Sequence, residues 1–234
     1  ERRFRQGYGW LVGYTLARSK DTRSFDPAFT VVGTANAQSA SSTPFDIKNR
    51  DLNYARSDFD RTHSFQGTFV LELPFGQGKA VAGDASGLLQ QIIGGWETAA
   101  AITWQSGRPF TIYSGSYTLS NVVQTPADCS SCSSDMGYIH DEGGLVWFID
   151  KEGRAMYSTP APGQFGSSGR NSLTGPQWFN VSLSPVKRIK WGNTQSVEVR
   201  ADALNLTNTP SFGLPTATAT SSTFGRIYNS VSSY

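Results

Sequence analysis

The chain has 234 residues, a formal net charge of +2 and two cysteines. So small a charge argues against nucleic acid as a partner, and no run of about 18 apolar residues exists from which to build a membrane-spanning helix. Hydrophobic residues are only 38%, yet 14 Phe, 9 Tyr and 6 Trp have to be placed somewhere. A β-barrel survives these exclusions, because each of its strands is only half apolar. The sequence opens on Glu1 with no secretory signal over residues 1–14, and it reads as a piece of a longer chain.

Residues 7–20 predict a first strand, with Tyr8, Trp10, Val12, Tyr14 and Leu16 on one face and small residues opposite; Leu11 breaks the pattern. Residues 21–57 show little periodicity, and a polar stretch that long is rarely mere connection in a compact domain. The second strand, 59–75, alternates Phe65, Phe69, Leu71 and Leu73 with Ser64, Gln66, Thr68 and Glu72, and stops at Pro74 and Gly76. In the connection 76–95, Leu88, Leu89, Ile92 and Ile93 have helical spacing, with Asp84 or Ser86 as N-cap and Gly94 as the stop. This predicts a short helix whose apolar face lies on a barrel end or a lipid surface, or else packs as a turn helix.

A third strand, 96–105, sets Trp96, Thr98, Ala100, Ile102 and Trp104 against Glu97, Thr103 and Gln105. Its two tryptophans are about 27 Å apart along the strand. With a tilt of ~40° that is roughly 21 Å of height, near the ~25 Å apolar band of an outer-membrane barrel. Residues 106–176 are irregular, with short strands expected at 111–113 and 145–149. They hold Cys129 and Cys132 in a polar Cys-Ser-Ser-Cys segment. A local disulfide is the first reading. Metal binding and redox chemistry are the alternatives, although zinc needs four ligands and His63 and His140 supply no partner pair. A fourth strand, 178–188, carries Phe179, Val181 and Leu183 on one face, and a tight turn is expected at 190–193. A fifth, 195–204, opposes Val197 and Val199 to Glu198, Arg200 and Asp202. Residues 207–222 are loop, and 223–234 look like the approach to a further strand.

Such alternation has two explanations. Either the apolar face packs on a soluble core, or it faces lipid while the polar face lines a water-filled barrel. Connection lengths favour the second. They run long, medium, very long, short and long, as when hairpin ends face opposite sides of a membrane, and this puts 76–95 and 189–194 on the periplasmic side. Phe65, Phe69, Leu71, Leu73, Trp96, Ile102, Trp104, Phe179, Val181 and Leu183 then face lipid. Charges would be costly on that side, and none is read there. Glu72, Glu97, Glu198, Arg200 and Asp202 face the lumen, as plug or substrate contacts or as plain wall solvation. At the outer rim, Asp58, Asp60, Arg61 and His63 form a polar cluster rather than a calcium site. Arg108 and Arg170 follow glycines, either pairing with acids or meeting an anionic ligand. Asn205 and Asn208 shape the exit from the fifth strand. No catalytic motif, metal set or cofactor loop is legible.

Ser57-Asp-Phe-Asp-Arg-Thr-His-Ser-Phe65 and Glu72-Leu-Pro-Phe-Gly76 resemble the C-terminal barrel of TonB-dependent receptors of the Oar-like group. So do Gly94-Gly-Trp96, Gln105-Ser-Gly-Arg-Pro-Phe110, Gly169-Arg-Asn-Ser-Leu-Thr-Gly-Pro176, the run from Arg200 to Gly213, and Thr223-Phe-Gly-Arg-Ile227. Thr174, where a basic residue is common, and Leu204, where an aromatic is usual, depart from the pattern. The resemblance implies an all-β, antiparallel up-and-down outer-membrane barrel of 22 strands. Residues 1–234 would form its C-terminal part, without the plug, the first strands or the last strand. Implied partners are membrane lipid, the plug, the TonB complex and an unidentified nutrient. A surface adhesin anchored by its barrel and a soluble carbohydrate-binding β-sandwich are the competing readings.

Overall fold

In the computed structural model, residues 1–5, 7–24, 48–118, 125–134, 136–191 and 195–230 are described. Most of the polar stretch 21–57, the core of the turn expected at 190–193 and the last four residues lie outside that set. Two compact units emerge. The first comprises Glu1–Thr15, Ser64–Trp104 and Phe179–Thr209; the second comprises Leu16–His63, Gln105–Trp178 and Pro210–Tyr234.

The first unit is built on one open sheet of six strands: β1 (Arg2–Arg5), β2 (Tyr8–Leu16), β3 (His63–Glu72), β4 (Trp96–Gln105), β5 (Trp178–Trp191) and β6 (Gln195–Arg200). Spatial order follows chain order, so every neighbour is the next long strand. β1 was not anticipated from the sequence; it folds back antiparallel onto β2, beside Gly7 at φ +85°. Leu73 N–H donates to Trp96 O at 2.9 Å and Ser106 N–H to His63 O at 2.9 Å, so β3 and β4 run antiparallel in one register from end to end. Gly7 with Glu72 and Ala17 with Thr62 do the same for β2 and β3. Opposed residues in antiparallel strands share a face. Tyr8, Trp10 and Tyr14 therefore stand beside Leu71, Phe69 and Phe65, and Phe65 stands beside Trp104. The rings of Phe69 and Phe65 close over Gly67, where a Cβ would come within 3.0 Å of Phe69.

No second sheet covers this stripe among the described residues: Leu71 is 42% exposed, and Trp10, Val12, Val197 and Val199 are open too. The sandwich alternative needs those side chains buried between sheets, and they are not. The odd residues of β5 reach the same face, because Lys187 Nζ lies 5.4 Å from the Trp96 ring. Here the structure corrects the sequence reading, which placed no charge on that side. Lys187 follows Phe179, Val181 and Leu183 in that row, four residues before the end of β5, and its Nζ donates to the carbonyls of Ile92 and Gly94. The cation is tolerated because backbone oxygens receive its ammonium group.

Helix α1 (Gly87–Ile93) forms where the Leu88/Ile92 spacing predicts it, with Ser86 as N-cap and Gly94 as C-cap. Its apolar side does not pack: Leu88 is 79% exposed. Trp96 Nε1–H donates to Ile92 O at 3.1 Å and fixes the helix end to the start of β4.

The second unit is where the sequence predicts long irregular connections, and it has a core. Phe110, Ile112, Ala127, Phe148, Ile149, Tyr157, Leu173, Ala217, Phe224 and Ile227 form one buried cluster. Short ladders frame it: Pro109–Phe110 with Leu173–Thr174, Asp128–Cys129 with Tyr157–Ser158, and His140–Glu142 with Leu145–Trp147. A second helix, α2 (Lys151–Ala155), was not anticipated; Asp150 caps it by accepting from Gly153 N–H at 2.7 Å. The expected strand at 111–113 is displaced to 109–110, and 145–149 is a strand only to Trp147. Residues 223–230 make turns and isolated bridges, not a strand. Cys129 and Cys132 are joined in a disulfide.

Candidate functional site

Within the second unit, the backbone turns sharply at Gly169 (φ +72°) and Asn171 (φ +51°). Asparagine tolerates that left-handed conformation better than most residues. The turn drives Arg170 inward until its side chain is fully buried. Nη1 donates to Asp21 Oδ1 at 2.7 Å and to the carbonyls of Asp21 (3.1 Å) and Asn53 (3.0 Å). Nη2 donates to Ser24 Oγ at 2.7 Å and Asp58 Oδ1 at 3.1 Å. Asn171 Nδ2 adds bonds to Asp58 Oδ1 and Arg56 O, both 2.7 Å, and its N–H donates to Thr111 Oγ1 at 2.9 Å. A planar fork with five donors is the side chain that can serve two carboxylates and two carbonyls at once.

A second layer surrounds it. Arg56 Nε pairs with buried Asp60 at 2.9 Å, and Asp60 also accepts from Ser19 N–H at 2.7 Å. Burial alone would raise the Asp21 carboxyl, but hydrogen bonds from Arg170, Ser24 and Ser57 outweigh it and hold the group below its ordinary value of 3.8. Tyr113, at the centre of the unit, is pushed well above the usual phenol range by burial. Burial also moves the Tyr157 hydroxyl up to about 12.

Of the residues read from the sequence as a rim cluster, the structure brings Asp58 and Arg170 into direct contact. Asp60 is one step away. Arg61 instead donates to Ser106 O at 2.7 Å. Burial, and then the neighbouring Arg108, lower its guanidinium to about 10, so it stays charged at neutral pH. His63 contributes its backbone N–H to Ser106 Oγ at 3.1 Å. Asn205 and Asn208 belong to the first unit, both at positive φ, where Asn205 Oδ1 accepts from Thr209 N–H at 3.1 Å. On the polar face of the sheet, Arg188 lies between Glu198 (3.0 Å) and Glu97 (3.9 Å), Glu72 pairs with Lys79 at 2.6 Å, and Arg200 with Asp202 at 2.9 Å. These pairs are exposed. Asp21, Ser24, Asn53 and Arg56 are not among the residues the sequence singles out; Arg170 after its glycine is, but not what it meets. Among the described residues no His, Cys, Asp or Glu cluster could hold a metal.

A meander of antiparallel strands, each apolar on one uncovered side and polar on the other, is the construction of a membrane barrel wall. In agreement, residues 1–233 match the family model of the outer membrane beta barrel domain, and the chain belongs to that family of outer-membrane proteins. No curated protein and no solved structure matches it.

Proposed function

We propose that this chain is part of a TonB-dependent receptor of the Oar-like group. On this reading a barrel of 22 strands, closed around a plug, takes up a large scarce nutrient with energy supplied through the TonB complex. Segments of the second unit capture the nutrient outside the cell. The observation that supports the reading best is the contrast between connections. The one joining β5 to β6 is short and the one joining β3 to β4 is of medium length, whereas those following β2, β4 and β6 belong to a unit with its own core. A ligand-capturing region needs a rigid scaffold for its loops, and a mere tether does not.

The second reading is a surface adhesin whose barrel is only an anchor. Deleting the gene and, separately, disabling TonB separates the two. Uptake predicts the same growth defect from both lesions on one nutrient among metal chelates, oligosaccharides and peptides. Adhesion predicts an attachment defect that disabling TonB leaves unchanged.

A further inference from the structure

One outward face of the second unit carries rings and guanidinium groups that the Arg170 cluster does not use. Trp147 pairs with His140 across the short hairpin, and an antiparallel bridge sets Arg226 on its other flank. The three therefore stand side by side on one face, while the alternate residues Val146 and Ile227 turn to the core. The row extends at both ends. The Tyr138 ring lies 4.8 Å from that of His140, and the Arg226 guanidinium lies 4.3 Å from the centre of Tyr228. Arg154 covers Trp147 at 4.1 Å. Tyr138 and Tyr228 are each 55% exposed.

Three polar atoms in this row, His140 Nε2, Trp147 Nε1 and Arg226 Nε, are shut off from solvent and have no partner. His140 Nδ1 lies 3.1 Å from the carbonyl of Tyr138, so Nδ1 carries a proton, and in that tautomer Nε2 is an acceptor. The unmet set is two donors and one acceptor. Two carboxylates stand among the two arginines: Glu142 pairs with Arg154 at 3.0 Å, and Asp150 accepts from Tyr138 Oη–H at 3.4 Å. An anionic ligand would meet those acids. A neutral sugar ring fits instead, since its C–H faces stack on aromatic rings and its hydroxyls both donate and accept.

We propose that this face binds a neutral oligosaccharide, with sugar rings stacked on Tyr138, Trp147 and Tyr228 and hydroxyls reaching His140, Trp147 and Arg226 as the exposed tyrosines swing aside. The proposal rests on the reading of the second unit as the nutrient-capturing region. The test presents the full-length protein, in detergent, to neutral hexasaccharides of glucose, xylose, mannose and galactose, with sulfated and uronic-acid oligosaccharides alongside. At least one neutral sugar binds, and Trp147→Ala, Arg226→Lys and Tyr228→Ala each weaken it about tenfold or more. Tyr117→Ala, an exposed ring outside the row, leaves binding unchanged. Thermal unfolding of each variant excludes misfolding, and Tyr228→Ala, the most superficial change, decides if Trp147→Ala proves unstable. The proposal is overturned if no neutral sugar binds, if only acidic sugars do, or if the variants bind as the wild type does. Coupled uptake of a chelate or peptide that the variants leave intact would sink the sugar site and keep the transporter. Sugar binding through this row without TonB-dependent growth would do the reverse.

Discussion

The two units place their apolar side chains in opposite ways. In the sheet unit the large hydrophobics lie along one uncovered face, with Trp10, Val12, Leu71, Val197 and Val199 exposed. In the other unit Ile112, Ile149 and Leu173 are almost completely enclosed. The first unit needs a solvent other than water to be stable, since hydrocarbon does for its stripe what a core does elsewhere. The second is assembled like a water-soluble domain, with a packed centre and a buried polar clamp. One chain thus carries two solutions to the same problem, and each is vulnerable to different substitutions.

The largest effect is expected at the clamp. Arg170→Met leaves Asp21 and Asp58 without their buried cation and should destabilise the second unit by about 3–5 kcal/mol. Hydrogen exchange would show protection lost over 48–60, 106–118, 125–134 and 136–174 while β3 and β4 keep theirs. A loss confined to the strands would break the division into two units. Next, Leu173→Ala should cost about 2–5 kcal/mol through the cavity it opens. Val181→Ala on the sheet should cost well below that, because lipid fills the space; denaturant melts of the refolded protein compare the two.

A charge tests the stripe directly. Ile102→Arg should cost about 2–4 kcal/mol near the bilayer midplane, whereas Thr103→Arg, on the other face, should be tolerated. Equal penalties in vesicle refolding would mean that the faces are not distinct. The smallest effect concerns pH. The folded Asp21 carboxyl titrates below its ordinary 3.8, so its contribution is complete above that value and is lost as pH falls through the lowered one. The thermal stability of the second unit should therefore drop between about pH 5 and pH 2 more steeply in the wild type than in Asp21→Asn. Identical profiles would remove Asp21 from the account.

Much of the sheet was legible because a strand writes its environment into every second residue. Phe65, Phe69, Trp96 and Trp104 named their face before any register was known, and Leu88 and Ile92 named the helix by spacing alone. The second unit left no such trace. Its core residues come from ladders of two or three residues, too short for alternation to register, and they meet across separations such as Phe110 with Leu173. Asp58 and Arg170 were each recognisable as rim polar groups, but a contact spanning more than a hundred residues has no local signature. Lys187 was misjudged for the same reason: its tolerance depends on the carbonyls of Ile92 and Gly94.

The sequence by itself determined the strands, their two-faced character and the membrane they imply, since those follow from period-two chemistry along a local stretch. Only the tertiary structure decided that the polar connections enclose a core, that Arg170 is buried between two aspartates, and that Tyr138, His140, Trp147, Arg226 and Tyr228 share one face. Those facts depend on long-range pairing, where the energy lies between segments and not within any one of them.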